Sequence, residues 1–336
     1  MITEQLNYDH NGLRLLWEHS YPLLNNEQKK AYDRILYSVK NETGAMFMID
    51  GHGGTGKTFL YKVICSKLRS EGSIVLCIAS SGIAALLLPG GRTAHSMFKI
   101  PIDNLSSDSF CSIPKNSMRA DLMCVTKCIV WDEIVPQHCY AIESLDRTLR
   151  DLKDSDQPFG GITVLIGGDF QQTLPVIPKA SREQILDATI TCSNLWNDFE
   201  LIHLHQNMRL QNDPQAEEFG EWLQQIGRGL NSDENNKIVI PDEIRSKDLD
   251  SLMNFIYSDL HSQPPPPPEY FLNRLILAPR NSDVNDVNET LLDRMSGDVK
   301  TYYSADQVIH EPGADDNLSL PSSFNPLILQ AYPLEN

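Results

Sequence analysis

The sequence predicts an α/β fold in which helices cover both faces of a parallel sheet. Short, nearly all-apolar segments recur between residues 45 and 169, as expected of strands that are buried on both faces. Segments with helical periodicity separate them, and alternating strands and helices are typical of a parallel sheet. A glycine-rich turn directly follows the first apolar segment, where such folds commonly place a binding loop.

The elements of the front part can be assigned from their local signals. Asn25 and Gln28 have the spacing of a helix start, and Pro89 with the two following glycines is a stop signal. In chain order we predict a helix from Asn25, a strand at Ala45–Asp50, a helix to Arg69, a strand at Ser73–Ser80, a helix at Gly82–Leu88, a strand at Lys127–Glu133, a helix at Gln137–Leu152 and a strand at Ile162–Asp169.

The back part has weaker signals. Leu201–Leu204 is predicted to open a second section, in which five prolines at 264–268 act as a spacer. Further predictions are a helix at Ala216–Ile226, a strand at Arg274–Ala278 and a helix at Val284–Leu292. We therefore expect an N-terminal extension at 1–24, a first domain at 25–200, a partial second domain at 201–300 and a loop-rich tail at 301–336.

Composition limits the class of protein. The 336 residues are enough for two domains, and no apolar run approaches the roughly 18 residues that a membrane span needs. No secretory signal is expected from the N-terminus, and seven cysteines without framework spacing suit a reducing compartment. Cys124, Cys128 and Cys139 lie near one another without a second ligand pair, so buried or inert thiols are favoured over zinc ligands.

The net charge of −17 is unevenly distributed. The first 210 residues carry 20 basic and 23 acidic side chains, whereas the remaining 126 carry 8 basic and 22 acidic ones. The front part can therefore present a local basic track, but charge alone does not indicate a nucleic-acid partner.

The glycine-rich turn matches the phosphate-binding pattern G-x-x-x-x-G-K-[ST] at every fixed position. Its glycines permit positive φ angles, which turn successive backbone N–H groups onto phosphate oxygens. Lys57 would reach the β- and γ-phosphates, and Thr58 would supply a hydroxyl oxygen to Mg²⁺. The predicted nucleotide-binding residues are Gly51, Gly53, Gly54, Thr55, Gly56, Lys57 and Thr58. The alternative is a chance glycine-rich turn, which the flanking strand and helix disfavour.

An acidic pair, Asp132 and Glu133, ends the apolar strand CIVWDE. Asp132 would hold Mg²⁺ at the C-terminal edge of the sheet, and Glu133 would orient or deprotonate the attacking water. Acids at strand ends are common, so this prediction depends on the phosphate-binding loop upstream. Together the two motifs predict a P-loop nucleoside triphosphatase.

Five sequence blocks in a fixed order carry a more specific resemblance. They are IDGHGGTGKTFL, ASSGIAALLLPGGRTAHSMFKIP, VWDEI, PFGGITVLIGGDFQQTLPV and NMRL. The chain resembles the petite-integration-frequency DNA helicases of superfamily one, RecD-like motors that move 5′ to 3′. The sequences of its motifs are most similar to those of the Helitron transposon branch. The resemblance covers about Leu24–Leu230, with a weaker echo at Arg274–Leu292.

The resemblance implies a RecA-like domain that uses ATP and Mg²⁺ and acts on single-stranded DNA and on tailed or forked duplexes. It implies ATP-dependent unwinding in telomere maintenance, DNA repair, recombination or transposition. A nuclear location follows from that function alone, with the mitochondrion as the alternative.

Three ATP-site residues are carried over by resemblance. Gln28 matches the glutamine that reads adenine, although a helix-capping role is the alternative. Gln172 matches the sensor of the γ-phosphate and DNA, and its neighbour Gln171 stands where relatives often carry a basic residue. Arg209 matches the arginine finger from the second RecA-like domain, although a surface arginine paired with an acid is the alternative.

DNA contacts are implied in two places. Ser80, Ser81 and Gly82 match the first DNA-contacting motif, where hydroxyl and N–H groups suit a phosphate without reading sequence. Thr93, His95 and Phe98 match the segment after it. The Phe98 ring would stack on an unpaired base, or else it would close the core together with Met97.

The family's later motifs are not recognisable in this sequence. No valine-histidine-lysine-serine-glutamine-glycine-like run is present, so the second RecA-like domain is expected to be incomplete. Two functions remain open at this point: an ATP-dependent helicase or translocase, and a truncated module that binds ATP and single-stranded DNA without productive unwinding. A P-loop switch unconnected with DNA is a third, weaker reading.

Overall fold

The computed structural model describes residues 1–210, 214–234, 237–262, 266–295, 300–303 and 328–331. Contacts between residues divide the chain into two compact units, Met1–Ile238 and Val239–Asn336.

The first unit is built on a six-stranded sheet. Its strands are β1 (Met46–Asp50), β2 (Val75–Ala79), β3 (Arg92–Thr93), β4 (Cys128–Asp132), β5 (Thr163–Gly168) and β6 (Phe199–His203). All pairings are parallel, in the order β3-β2-β4-β5-β1-β6. The predicted α/β fold is therefore confirmed, and β5 lies between the strand that precedes the P-loop and the strand that ends at Asp132.

Helices cover both faces of this sheet. The described α-helices of this unit are α1 (Ile2–Leu6), α2 (His10–Ser20), α3 (Asn26–Lys40), α4 (Lys57–Ser70), α5 (Gly82–Leu86), α6 (Ala94–Phe98), α7 (Met118–Val125), α8 (Cys139–Lys153), α9 (Arg182–Asp187) and α10 (Pro214–Gly227). The predicted helix start at Asn25 is confirmed, because Asn25 and Gln28 form a reciprocal capping box.

Two hydrophobic clusters lie on the two sides of the sheet. One contains Phe98, Trp131 and Phe159, and the other contains Ile35, Tyr61 and other side chains of α3 and α4. Because both faces are covered, the central strands consist almost wholly of buried residues.

Strand β6 corrects the interpretation of the segment around residue 201. The boundary predicted between residues 200 and 201 falls inside this strand, which pairs with β1 along its whole length. It is an edge strand whose residues alternate between more and less buried. For that reason it does not show the all-apolar pattern of the central strands.

The N-terminal extension packs against α4. The Lys67 ammonium lies 3.8 Å from the centre of the Trp17 ring, and the Arg69 guanidinium lies 4.6 Å from the centre of the Tyr8 ring. His10 Nδ1 lies 2.9 Å from the carbonyl oxygen of Arg69. Residues 8–20 of the extension therefore cover the outer side of the helix that follows the P-loop, whereas α1 packs near α7.

The second unit has fewer regular elements among its described residues. They are α11 (Leu249–Ile256), α12 (Asn281–Asp293), β7 (Lys300–Tyr303) and β8 (Ile328–Ala331), with β7 and β8 antiparallel. The helix predicted at Val284–Leu292 is confirmed by α12. The strand predicted at Arg274–Ala278 is wrong, because within the described part of the chain no strand pairs with it; Leu275 is 71% exposed and Leu277 is 84% exposed.

Several predicted features lie partly outside the described residues. They include Pro264 and Pro265 of the spacer and most of the tail at 301–336, in which β7 and β8 are the described parts. A partial second RecA-like domain thus stays a prediction. Among the residues that are described, none of the helices combines the length and hydrophobicity that crossing a membrane would require.

Candidate active site

The candidate site lies at the C-terminal edge of the main sheet, where β1, β4 and β5 end side by side. A pocket of about 410 Å³ opens there. It is lined by His52, Gly53, Gly54, Gly56, Lys57, Thr58, Phe59, Ala84, Leu87, Asp132, Glu133, Gln172, Met208 and Arg209. Most residues predicted to act on the phosphates, the metal or the water are therefore brought to one pocket. Gly51 and Thr55 of the predicted loop are not among its lining residues, and Thr55 is fully buried.

The glycines of the P-loop are required by its shape. Gly54 and Gly56 have φ angles of 93° and 81°, which residues with a side chain rarely adopt. A Cβ on Gly54 would lie 2.4 Å from Asn207 Oδ1, and one on Gly56 would lie 2.4 Å from Gln28 Nε2. The loop is thus held closely from outside, and the Met208 N–H donates to the Gly54 carbonyl at 2.8 Å.

Lys57 and Thr58 begin α4 and face the pocket. The Lys57 ammonium donates to the carbonyl oxygen of Gly51, so it lies along the loop that it would leave to meet a phosphate. Thr58 Oγ1 donates to Asp132 Oδ2 at 3.3 Å. A hydroxyl and a carboxylate oxygen this close fit Mg²⁺, which prefers oxygen ligands and takes the rest from phosphates and water. The described residues contain no group of three or more His, Cys, Asp or Glu side chains that could hold a metal ion without such help.

Asp132 is buried at the end of β4. Burial and, to a smaller extent, the neighbouring Glu133 carboxylate raise its pKa from 3.8 to about 6, with Lys57 opposing the shift. The Asp132 carboxylate is therefore poised to gain a cation, which would offset the energy of keeping it charged in this place.

The Tyr61 side chain lies next to this carboxylate. Its hydroxyl is fully buried and has no hydrogen-bond partner among the residues that the structure describes, and burial raises its pKa. The hydroxyl occupies the space above Gly167, where an added Cβ would lie 1.7 Å from it and 3.6 Å from Asp132 Oδ1. Gly167 is thus a glycine because the Tyr61 ring needs its volume.

Glu133 and Gln172 approach the pocket from two adjacent strands. Glu133 has a φ angle of 57°, in the left-handed region that is unfavourable for a residue with a side chain. The Asp169 carboxylate accepts hydrogen bonds from the Gln171 N–H at 3.0 Å and from Gln172 Nε2 at 3.1 Å. Asp169 therefore fixes the turn that presents the predicted sensor.

Arg209 lines the same pocket, as its predicted role requires. The structure corrects its origin, however, because Arg209 belongs to the first unit and follows β6 after a short loop. It is exposed, and its N–H donates to Asn207 Oδ1 at 3.0 Å. No second domain is needed to bring this arginine to the pocket.

Gln28 is engaged on both sides of its amide. Its Oε1 accepts from the Asn25 N–H at 3.0 Å, and its Nε2 donates to the Thr55 carbonyl at 3.0 Å. The side chain is 1% exposed and is not among the residues that line the pocket. The capping role is present, and it also ties α3 to the P-loop. The adenine contact stays a prediction.

The residues implied in DNA binding lie at or after the C-terminal ends of β2 and β3, at the same edge of the sheet. Ala79 and Thr93 are partners in the β2–β3 register, so the segments after the two strands are neighbours. Ser81 and Thr93 cap α5 and α6, each accepting a backbone N–H through its hydroxyl oxygen. Each hydroxyl hydrogen remains to be donated to a phosphate. Gly82 is exposed, and His95 is half-buried with a pKa lowered by burial.

Two of the implied DNA contacts are placed differently by the structure. Phe98 is fully buried, and its ring centre lies 6.3 Å from that of Trp131, so no face of the ring is open to a base. The core alternative is the one that the structure supports. Ser80 is half-buried, and its hydroxyl donates to the carbonyl oxygen of Glu133 rather than facing solvent.

Other contributors to the site were not predicted. Asn207 and Met208 hold the P-loop, and Phe59, Ala84 and Leu87 form apolar parts of the pocket. For Asn207 and Met208 a signal was available, since they stand beside Arg209 in the motif. The apolar residues carry no local signal, because their place depends on how α4 and α5 pack.

The fold and this pocket define a P-loop nucleoside triphosphatase with a RecA-like sheet. The family model described as PIF1-like helicase matches residues 23–237, and the chain belongs to this family. The ATP-dependent DNA helicase Pif1 of Psychrobacter sp. is 28% identical over 264 residues, which cover 78% of this chain and 37% of that protein. The chain thus spans little more than a third of that relative's length.

Solved structures show the same fold. The crystal structure of Pif1 helicase from Candida albicans matches with a TM-score of 0.61 at 24% identity, covering 86% of this chain and 59% of that one. The structure of Pif1 from Bacteroides in complex with ADP-AlF3 and ssDNA matches with a TM-score of 0.59 at 23% identity, covering 85% of this chain and 61% of that one.

Proposed function

We propose that this chain is an ATP-dependent DNA helicase that couples ATP hydrolysis to 5′-to-3′ movement on single-stranded DNA. The observation that carries the proposal is the convergence of Lys57, Thr58, Asp132, Glu133, Gln172 and Arg209 on one pocket. Membership of the PIF1-like helicase family supports it, as do the names of relatives such as the ATP-dependent DNA helicase RRM3 of Saccharomyces cerevisiae.

Each pocket residue has a role that follows from its chemistry. The Lys57 ammonium exchanges the Gly51 carbonyl for phosphate oxygens, and the P-loop N–H groups surround the same charge. Glu133 orients the attacking water and accepts its proton. Arg209 neutralises charge that develops on the transferred phosphoryl group, and Gln172 senses that group from the end of β5.

Thr58 and Asp132 are the residues that would hold Mg²⁺, because their oxygens already lie 3.3 Å apart. The ion supplies positive charge to the phosphates when it is bound. The bound ion would also stabilise the charged form of the buried Asp132 carboxyl. Binding of the ion and ionisation of this carboxyl therefore favour each other.

Single-stranded DNA would lie across the C-terminal ends of β2 and β3. Ser81 and Thr93 keep a hydroxyl hydrogen for a phosphate oxygen, and Gly82 leaves open space for a backbone to approach. Such contacts give affinity without sequence preference, and binding should fall steeply as salt rises. Tailed and forked duplexes are the proposed substrates.

The test is ATP hydrolysis by the purified chain with and without single-stranded DNA, followed by strand release from a 5′-tailed duplex. The matched control is Lys57→Ala. Stimulation by DNA together with strand release would support a helicase, and release from a 3′-tailed duplex alone would contradict the direction. ATP and DNA binding with neither stimulation nor release would favour the module without productive unwinding. Absence of DNA binding at low salt would contradict the proposal and favour a nucleotide switch.

Finer parts of the proposal rest on the resemblance. They are a role in telomere maintenance, repair, recombination or transposition, and a nuclear location, which imaging of a fluorescent fusion would test. The choice of ATP over GTP by Gln28 is tested by the ratio of the two affinities in Gln28→Ala, and an unchanged ratio would leave Gln28 with its capping role alone.

A further inference from the structure

Ser80 lies between Ser81, which is proposed to contact DNA, and Glu133, which is proposed to activate water. It directly follows β2, and the β2–β4 register pairs Ala79 with Asp132, which places Ser80 beside Glu133. The Ser80 hydroxyl donates to the carbonyl oxygen of Glu133, and it accepts a hydrogen bond from the indole Nε1 of Trp131 at 3.3 Å. Its single hydrogen is thus used inside the protein.

The Ser80 hydroxyl is bonded to the backbone of Glu133, and the conformation of this backbone sets the direction of the Glu133 side chain. Glu133 has a left-handed backbone, which persists only where neighbouring groups fix it. Its N–H donates to Asp132 Oδ1 at 3.0 Å, and the following N–H, of Ile134, donates to the Gly167 carbonyl at 2.8 Å. The Ser80 hydroxyl fixes the remaining group, the Glu133 carbonyl, and it is the only one of these three partners that comes from the end of β2.

Ser80 and Ser81 are adjacent, but their hydroxyls face different tasks. Ser81 is exposed and accepts the Ala84 N–H at 3.2 Å, which leaves its hydrogen for an outside acceptor. Ser81 is therefore connected to the Glu133 carbonyl through the backbone of Ser80 and the hydrogen bond that the Ser80 hydroxyl donates. Trp131 supports the contact from below, and its ring packs on Phe98 of α6.

We propose that Ser80 is a positioning residue, which holds Glu133 in the orientation needed to activate water and transmits strand binding at Ser81 to the rate of hydrolysis. The inference rests on the proposed function, ATP hydrolysis at the adjacent pocket. Ser80 touches neither nucleotide nor DNA in this proposal. It acts through the Glu133 peptide.

The experiment compares the wild-type chain with Ser80→Ala, Ser80→Thr and Ser81→Ala. Loss of the hydroxyl in Ser80→Ala should lower kcat roughly 10- to 100-fold, because a small misplacement of a catalytic group has effects of that size. The KM for ATP and the affinity for labelled oligo-dT, measured by anisotropy, should change less than about twofold, because ground-state binding is retained. Stimulation by DNA should be lost. Ser80→Thr keeps a hydroxyl and should restore most of kcat, whereas Ser81→Ala should weaken oligo-dT binding.

A second readout needs no turnover. The indole N–H signal of Trp131, assigned with Trp131→Phe, should shift and exchange faster with solvent in Ser80→Ala, and it should stay in place in Ser81→Ala. Thermal melting of all variants identifies any general loss of fold. If Ser80→Ala is destabilised, the kcat of Ser80→Thr and the indole signal of Trp131 decide whether Ser80 positions Glu133.

Four results would overturn the inference. An unmoved indole signal in Ser80→Ala would show that the contact is absent. Weaker oligo-dT binding with unchanged kcat would make Ser80 a strand contact, and an unchanged ratio of stimulated to basal rate would refute the coupling. A wild-type chain without ATP turnover would refute the proposed function itself. This result is distinguishable from the one in which the wild type is active and Ser80→Ala is equally active.

Discussion

Replacing Asp132 by asparagine should stabilise the ligand-free protein at neutral pH while removing magnesium-dependent hydrolysis. Asp132 is 4% exposed, and its pKa is raised from 3.8 to about 6, chiefly by burial. A shift of this size corresponds to about 3 kcal/mol between the two protonation states. Asp132→Asn keeps an oxygen that can accept the Glu133 N–H but carries no charge, so it should recover up to that amount.

The pH dependence has a definite sign. Because the folded-state pKa is the higher one, the favourable contribution of the protonated carboxyl is fully present below about pH 4 and is lost as the pH rises through about 6. The advantage of Asp132→Asn over wild type should therefore be largest above about pH 7 and should vanish near pH 4.

The assay is urea unfolding of both proteins across that pH range, without nucleotide and then with Mg²⁺ and ATP. Ligand should stabilise the wild type more than Asp132→Asn, because a charged carboxylate holds the ion more strongly than a neutral amide does. Equal stability of the two proteins at neutral pH, or an advantage that does not change with pH, would refute the reasoning.

Three other substitutions test neighbouring parts of the site and core. Lys57→Ala should abolish ATP turnover while leaving the melting temperature nearly unchanged, because the ammonium donates to a loop carbonyl and Lys57 belongs to neither hydrophobic cluster; unchanged turnover would contradict the site. Phe98→Ala should lower the free energy of unfolding by roughly 3–5 kcal/mol, because its ring is fully buried. Weaker binding of single-stranded DNA by a Phe98→Ala protein of wild-type stability would instead restore the base-stacking role. Tyr61→Phe should raise the free energy of unfolding by about 1–3 kcal/mol, since it removes a buried hydroxyl that has no partner in the described part of the chain. A lower free energy of unfolding for Tyr61→Phe, measured by chemical denaturation, would show that the hydroxyl has a hydrogen-bond partner.

The central strands and the P-loop could be predicted because their signals are local. Strands β1, β2, β4 and β5 are buried on both faces, and this alone produces a continuous apolar segment. The P-loop glycines are required by backbone angles within the loop itself. Strand β3 has only two residues, and the edge strand β6 is half-exposed, so neither carries such a pattern.

The roles of single residues at the edge that is proposed to bind DNA could not be predicted in the same way. Ser80 and Ser81 are the same residue type in consecutive positions, and the register of β2 against β4 decides which hydroxyl is used inside the protein. Phe98 ends a five-residue helix, and its burial depends on Trp131 from a distant strand. Arg209 reaches the pocket because β6 joins the main sheet, and this pairing is non-local.

The shared space of Gly167 and Tyr61 also limits the order in which this protein can change during evolution. Any side chain at position 167 would collide with the tyrosine hydroxyl, since even the first carbon would lie 1.7 Å from it. A substitution of Gly167 is thus acceptable only in a lineage that has already replaced Tyr61 by something shorter, whereas the opposite order passes through a clashing core. The two positions should covary among relatives, with the change at 61 always the older one.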